Sequence, residues 1–452
     1  MGASPCSVKG FFMKMPRQPP SLTKFLQGKN DVSKILEFVM KGECDENSYR
    51  HWDTLRHLAP PEGLTSEEWW YAIKLKRQGN RKAISLVDSN KKPFSFALTD
   101  TILTSLHKID LHMGGGISLP EPITNPQTRN EFLVRSLIEE AITSSQLEGA
   151  STTRVVAKEM LRSKRAPRDK NERMIHNNYL AMERIRDIRN ADLTVESILE
   201  LHRIVTDNTL EDLEAAGRFR RSDERVVVED TSTGEVLHTP PPAAELNDRI
   251  SALCDFANET NSQIFIHPVI RAIIVHFWLS YDHPFVDGNG RTARALFYWS
   301  MLHSKYWLFE FISISKYLLN APVKYAKSFL YTETDDNDLN YFILHQLKIA
   351  NRAIESLYEH IKNKTEESRA FESRLKNAHL FNHRQEQLLM HALKHPGTKY
   401  TIQKHKNSFR IAYDTARNDL LDLEKRGFFK HEKKGNAYLF FASPNLSNLI
   451  GD

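Results

Sequence analysis

Twelve residues, His283-Pro-Phe-Val-Asp-Gly-Asn-Gly-Arg-Thr-Ala-Arg294, restrict this chain most, because they lie between two strongly apolar stretches, Ile273–Trp278 and Ala295–Trp299. Both stretches are apolar on every side, the pattern of buried helices. The run between them is then a loop that opens onto a helix N-terminus. Gly288 and Gly290 allow backbone N–H groups to converge on one point. The helix N-terminus adds partial positive charge there. Arg291 and Arg294 are three apart and share a helix face, with Thr292 between them in the same cofactor-binding turn. Together these residues describe a polyphosphate cradle. Asp287 at its edge would repel phosphates unless a cation intervened, and magnesium, held by one carboxylate plus phosphate oxygens, suits that place. His283, just ahead of the cradle, is a side chain able to take a proton from an attacking hydroxyl near neutral pH. Phe285 is expected to anchor the loop in the core. A zinc site from His267, His276 and His283 is the competing reading of the histidines. It leaves the Gly-Asn-Gly-Arg unexplained, and His267 and His276 read as structural.

The surroundings of this run are helical from about 129 to 365. Phe132, Leu133, Leu137 and Ile138 recur at helical spacing up to Glu148, Gly149 ends that helix, and Ser151 or Thr152 is placed to cap the next. Leu193–Val205 and Val269–Ser280 read as two more apolar helices. Val226-Val-Val228 and Val236-Leu237 flank Thr231-Ser-Thr-Gly234, a short hairpin. A second hairpin is expected where Ala83–Val87 and Phe94–Ala97 flank Asn90-Lys-Lys-Pro. Residues 1–30 read as a mobile tail, 31–115 as a mixed region with Trp52, Trp69 and Trp70, and Met113-Gly-Gly-Gly116 as a flexible break. Residues 350–380 read as an exposed connecting helix.

The run His283–Arg294 resembles the signature of the Fic (filamentation induced by cAMP) domain, His-x-Phe-x-Asp/Glu-Gly-Asn-Gly-Arg-x-x-Arg, with every specified position present. The resemblance covers about residues 130–350, including Gly217-Arg-Phe-Arg220 and Ile266-His-Pro268, and assigns 116–365 to the Fic domain. It implies a mainly α fold with a short β-hairpin flap. It also implies transfer of AMP from ATP to Ser, Thr or Tyr of a protein, self-modification included. By the same resemblance His283 is the general base and Asp287 the Mg2+ ligand. Gly288, Asn289 and Gly290 form the anion hole, Arg291 and Arg294 bind phosphates, and Tyr325 stands at the distance of a nucleobase contact. Ser144-Ser-Gln-Leu-Glu-Gly149 resembles the family's inhibitory motif and implies a salt bridge from Glu148 to Arg294 that blocks productive ATP binding. In that position, at a helix C-terminus, the dipole also disfavours a carboxylate, so a distant cation is expected to hold it. The hairpin carrying Val226, Val227 and Val228 resembles the flap that aligns the target by strand addition. An AMP-removing hydrolase that uses the same residues stays open, as does a DNA-binding regulator that senses ATP.

The formal net charge of +5 is unevenly spread: residues 376–452 carry 13 Lys and Arg against 7 Asp and Glu, leaving about −1 for the rest. That segment reads as helices over 383–394, 402–406 and 411–426, a turn at Asn407–Phe409, and a hairpin turning at Gly435-Asn436. The order resembles a winged helix, with Tyr413, Thr415, Arg417 and Asn418 on the third helix and Lys433 and Lys434 on the wing as DNA contacts. Protein contacts, a homodimer among them, are the alternative, and Asp414, Asp419, Asp422 and Glu424 on the third helix weaken phosphate binding. No apolar run approaches the roughly 20 residues of a membrane span. The opening Met-Gly lacks the Ser or Thr at position 6 of a myristoylation motif. Cys6, Cys44 and Cys254 are odd in number and widely separated, which fits a reducing cytoplasm.

Overall fold

The computed structural model describes residues 6–8, 13–27, 32–42, 48–79, 81–113, 126–230, 232–260, 264–378, 380–395, 397–434, 437–444, 446 and 449. The expected break at 114–116 and the turn at 435–436 lie outside the described residues. The chain forms two compact units, one from residues 1–115 and 136–354 and the other from 116–135 and 355–452. No described helix is long and apolar enough to cross a membrane.

The helices that position the site are α1 (Pro126–Leu147), of which residues 136–147 belong to the first unit, and, wholly within that unit, α2 (Arg154–Ser163), α3 (Lys170–Ile188), α4 (Val195–Thr206), α5 (Leu246–Ala257), α6 (Pro268–Asp282), α7 (Asn289–His303) and α8 (Pro322–Thr334). Helix α6 starts where Pro268 takes its first turn and the His267 ring accepts from the Val269 N–H. Val269 to Leu279 are all buried, so α6 is the central rod of the unit and packs most extensively on α7. Gly149, in the left-handed region at φ +92°, closes α1 as expected. The cap of α2, however, is Thr153, whose hydroxyl accepts from the Val156 N–H, not Ser151 or Thr152. The expected hairpin at 83–97 is present as antiparallel β2 (Lys82–Val87) and β3 (Pro93–Phe96). Within the same unit a buried Lys74 pairs with Asp335 at 2.6 Å, fixing the turn after α8.

The second hairpin is shorter than expected. Its strands are β4 (Val228–Asp230) and β5 (Val236–His238), with Val228 opposite His238 and an irregularity before Glu229 faces Val236. Val226 and Val227 are buried ahead of the strand, serving as packing rather than pairing residues. Part of the segment expected as a mobile tail is ordered into this sheet: β1 (Cys6–Val8) pairs in parallel with β4, giving the order β1-β4-β5.

The second unit contains the end of α9 (Asn340–Ala378), then α10 (His383–Lys394), α11 (Ile402–Phe409), α12 (Tyr413–Lys425), β6 (Phe429–Lys434) and β7 (Ala437–Ala442). The order of three helices and a hairpin is the one expected. The turn expected at 407–409 is helical instead, because α11 runs on until Arg410 adopts φ +51°. Nor is 350–380 merely an exposed connector: Phe371 and Leu375 are buried in the core with Leu389, Leu420 and Phe440. Asp419 is buried beneath Arg384, which donates at 2.8 and 3.0 Å, and His405 at 3.1 Å. Asp422 pairs with Arg426 and Glu424 with His431, so of the four acids on α12 only Asp414 is exposed without a described pairing.

Candidate active site

The loop from His283 to Gly288 is held by side chains on three sides. Asn289 folds back on it, accepting from the Phe285 N–H at 2.9 Å and donating to the Phe285 carbonyl at 2.8 Å. Its amide is thus a brace for the loop. Phe285 is fully buried and stacks on His202 of α4 at 3.7 Å. The His202 Nδ1 accepts from the Gly217 N–H, so its Nε2 bears the proton and donates to the Asp287 carbonyl at 2.9 Å. Burial depresses the pKa of His202 to about 4, so it stays neutral and keeps that tautomer. From the other side the Arg220 guanidinium donates to the His283 carbonyl at 3.0 Å, and the Arg220 backbone N–H donates to the Pro284 carbonyl at 2.8 Å.

Gly288 has φ +83°, and a Cβ there would stand 2.7 Å from a Thr206 methyl, so only glycine fits the turn into α7. Thr292 donates its hydroxyl to the Gly288 carbonyl at 2.9 Å. Its hydroxyl proton is therefore engaged within the first turn of α7. Arg291 and Arg294 do not act as one surface. Three residues advance a helix by about 300°, leaving side chains about 60° apart, and here they diverge: Arg291 is buried and donates to the Val205 carbonyl, whereas Arg294 lines the cavity.

That cavity is bounded by His283, Gly290, Arg294, Tyr325, His238, Met13 and Glu148, among others. His283 caps α6 in the left-handed region at φ +45°, which turns its ring inward. Nδ1–H donates to the Ser280 carbonyl at 3.1 Å, which leaves the lone pair on Nε2. Nε2 is buried without a hydrogen-bond partner among the described residues. Burial pushes the pKa of His283 down to about 4. At neutral pH this is an unprotonated nitrogen aimed at a cavity, the state a general base requires.

Glu148 follows the last turn of α1 and meets Arg294, which donates from Nη2 to Oε1 at 2.8 Å. Arg294 also donates to the Ser144 hydroxyl at 2.8 Å and to the Ser144 carbonyl at 2.9 Å. The Glu148 carboxylate lies directly over Gly290, where an added Cβ would collide with its Oε1. A carboxylate thus rests on the N-terminal turn of α7 beside a buried guanidinium, a seat suited to any anion. The segment that carries Glu148 is itself pinned: buried Glu140 accepts from Tyr298 at 2.8 Å and from Ser313 at 2.8 Å.

The remaining expected residues fall as follows. Tyr325, on α8, lines the cavity wall and hydrogen-bonds His276 at 2.8 Å. His267 caps α6 and faces Asp110 at 3.0 Å, so the three histidines have separate duties. Asp287 is about half-exposed, with Oδ1 accepting from the Gly288 N–H at 2.5 Å and 4.0 Å from Arg291. Among the described residues no group of three or more His, Cys, Asp or Glu is arranged to hold a metal. Of the three flap valines only Val228 reaches the cavity. The sequence alone assigned no role to His202, Arg220 or His238. The His238 ring donates to Glu333 and to the Tyr281 carbonyl, both at 2.7 Å; burial opposes its charge, yet the Glu333 carboxylate raises its pKa overall.

Residues 192–301 match the family model described as Fic/DOC family. The chain is 32% identical over 160 residues to the protein adenylyltransferase Fic of Nematostella vectensis, covering 34% of each chain. It is 36% identical over 127 residues to the protein adenylyltransferase Fic of Drosophila willistoni, covering 27% of this chain and 23% of that one. The matches thus span about a third or less of those relatives' own length. Among solved structures, a Fic family protein from Desulfovibrio desulfuricans G20 aligns with a TM-score of 0.49 and 17% identity, covering 77% of this chain and 98% of that one. Over residues 192–301, which contain the His283–Arg294 loop, the chain thus matches the Fic/DOC family model and is similar to proteins named protein adenylyltransferase Fic.

Proposed function

We propose that this chain transfers AMP from ATP to a Ser, Thr or Tyr hydroxyl of a protein, and that Glu148 restrains it at rest. The observation that carries the reading is the cavity itself. A neutral His283 Nε2 facing the cavity and an anion seat on Gly290 and Arg294 line one space, and Glu148 occupies the seat. In the reaction the acceptor oxygen attacks the α-phosphorus of ATP, and its proton passes to His283 Nε2. The new oxygen–phosphorus bond forms as the bond to the β-phosphate oxygen breaks, and pyrophosphate leaves with the electron pair. Backbone N–H groups at the start of α7 and the Arg294 guanidinium would take the phosphate charge. Tyr325 walls the cavity beside the nucleotide.

Asp287 fits a magnesium ion held mainly by phosphate oxygens and water, since it offers a single, accessible carboxylate next to the anion seat. The ion would neutralise phosphate charge during transfer. His202 and Arg220 hold the loop so that His283 and Asp287 keep their places.

Incubation with radiolabelled ATP and magnesium tests the reading, with wild type, Glu148→Gly and His283→Ala compared by autoradiography and intact mass. Label on protein from Glu148→Gly, and none from the same chain carrying His283→Ala, is expected. No protein-bound AMP from either would overturn it. Because Glu148 and His283 share the cavity, removal of AMP from a modified protein, with Glu148 orienting water, is the second reading. Loss of removal in Glu148→Gly without any gain in transfer would favour it.

A further inference from the structure

The outer edge of β4 is already occupied, and by this chain. Residues Cys6, Ser7 and Val8 lie in parallel register with Val228, Glu229 and Asp230. Because β5 covers the other edge of β4, β1 takes the only edge of β4 left for pairing. Met13, a few residues on, donates its N–H to the Asp230 carboxylate. The same carboxylate accepts from the Ser232 N–H at 2.7 Å and from the Thr233 N–H at 3.3 Å, so the tether is fastened to the hairpin's own turn. The Met13 side chain is buried with Leu237 and Leu330 and lines the cavity that contains His283. An extended acceptor segment that reached His283 by pairing with the hairpin would need this edge, because strand addition requires unpaired backbone groups.

We propose that the stretch carrying Cys6–Val8 and Met13 is a built-in competitor for the acceptor strand, a restraint on acceptor binding separate from the one Glu148 places on the nucleotide. It rests on reading β4–β5 as the hairpin that aligns the acceptor. A segment tethered within the same chain acts at an effective concentration of about a millimolar. A protein acceptor present at micromolar levels therefore meets a strong rival, and displacing the rival lowers the acceptor concentration needed without changing the rate at saturation.

The test uses the whole chain in a Glu148→Gly background, with and without Ser7→Pro and Val8→Pro together. Successive prolines remove two neighbouring backbone N–H groups of β1, one of which faces β4, and leave the cavity wall untouched. Hydrogen exchange at the amides of 228–230 is read first, because it needs no activity. Faster exchange in the double variant is expected, and unchanged exchange would overturn the inference. Labelling of a degenerate peptide mixture with Ser, Thr or Tyr fixed at its centre is read second. A fall in apparent KM on the order of 10-fold or more at unchanged kcat is expected. Faster exchange with unchanged KM would equally overturn competition. If the Glu148→Gly parent labels nothing at all, the transfer reading itself fails, and that result is distinct from either of these because the exchange measurement still reports on the strand.

Discussion

At the scale of single residues the proposed function rests on His283, Arg294 and Glu148, which line one cavity. His283→Ala should lower transfer by about 100- to 10,000-fold, the usual contribution of a positioned base, while circular dichroism and melting remain those of the parent. Because burial holds His283 near a pKa of 4, transfer should be flat through neutrality and fall only on the acid side. The same depression has a stability consequence. His283 and His202 bind protons more readily when unfolded, so their contribution is fully present above the unfolded value of about 6.5 and is lost as pH falls toward 4. Melting temperatures at pH 7 and pH 5 should differ less when His202 is replaced by Asn. Glu148→Gly should raise transfer on the order of 100-fold, the scale that a misplaced α-phosphate can cost. Adding Arg294→Ala should remove that gain, and equal rates for the single and double variants at saturating ATP would disprove it. The residues of the signature were legible because their chemistry is concentrated in twelve consecutive positions. The bracing roles of His202 and Arg220 were not, since they act across 85 and 63 positions of chain, and even the Gly217-Arg-Phe-Arg220 segment gives no sign of which loop its arginine holds.

At the scale of elements, α6 and α7 were readable because burial on every side leaves an unbroken apolar pattern, and Gly149 announced the end of α1 through its positive φ. The hairpin boundaries were not. Valine favours strands wherever it occurs, yet burial of Val226 and Val227 before the strand shows the side chains serving the core instead. Nor does a sequence show that Cys6–Val8 pairs with Val228–Asp230, because three residues carry no periodicity and their partner is more than two hundred positions away. The turn between α6 and α7 is the element most sensitive to change. Gly288→Ala combines φ +83° with a Cβ 2.7 Å from Thr206, and should cost about 1–3 kcal/mol for the strained backbone alone, measured by urea unfolding. A stability within about 0.5 kcal/mol of wild type would show that the turn can relax.

At the scale of the whole molecule, the uneven charge pointed to a separate basic segment, and residues 355–452 do fall in a unit with a core of their own. What charge counting missed is how acidic side chains are spent. Asp419 neutralises Arg384 inside that unit, so the third helix presents fewer free carboxylates than its sequence suggests. Asp419→Ala should leave the buried His405 without its acceptor, while the partly exposed Arg384 turns to water, and cost about 1–3 kcal/mol, the usual penalty for an unsatisfied buried polar group. Calorimetry is expected to show a lower melting transition for that unit alone, with transfer in a Glu148→Gly background unchanged. Loss of transfer at a temperature where the first unit is still folded would contradict that independence.

Glu148 rests against Gly290, and on the proposed function, in which the nucleotide's phosphates take the same seat, this has a genetic consequence. A substitution at 290 or 294 that evicts Glu148 also ruins the place where phosphate must sit, so it yields a dead protein, never an unrestrained one. Only changes on the α1 side can separate the two outcomes. A selection for constitutively active clones should therefore return substitutions at or near 144–150 and none within 288–294, and restraint will be lost far more readily by accident at one end of the contact than at the other.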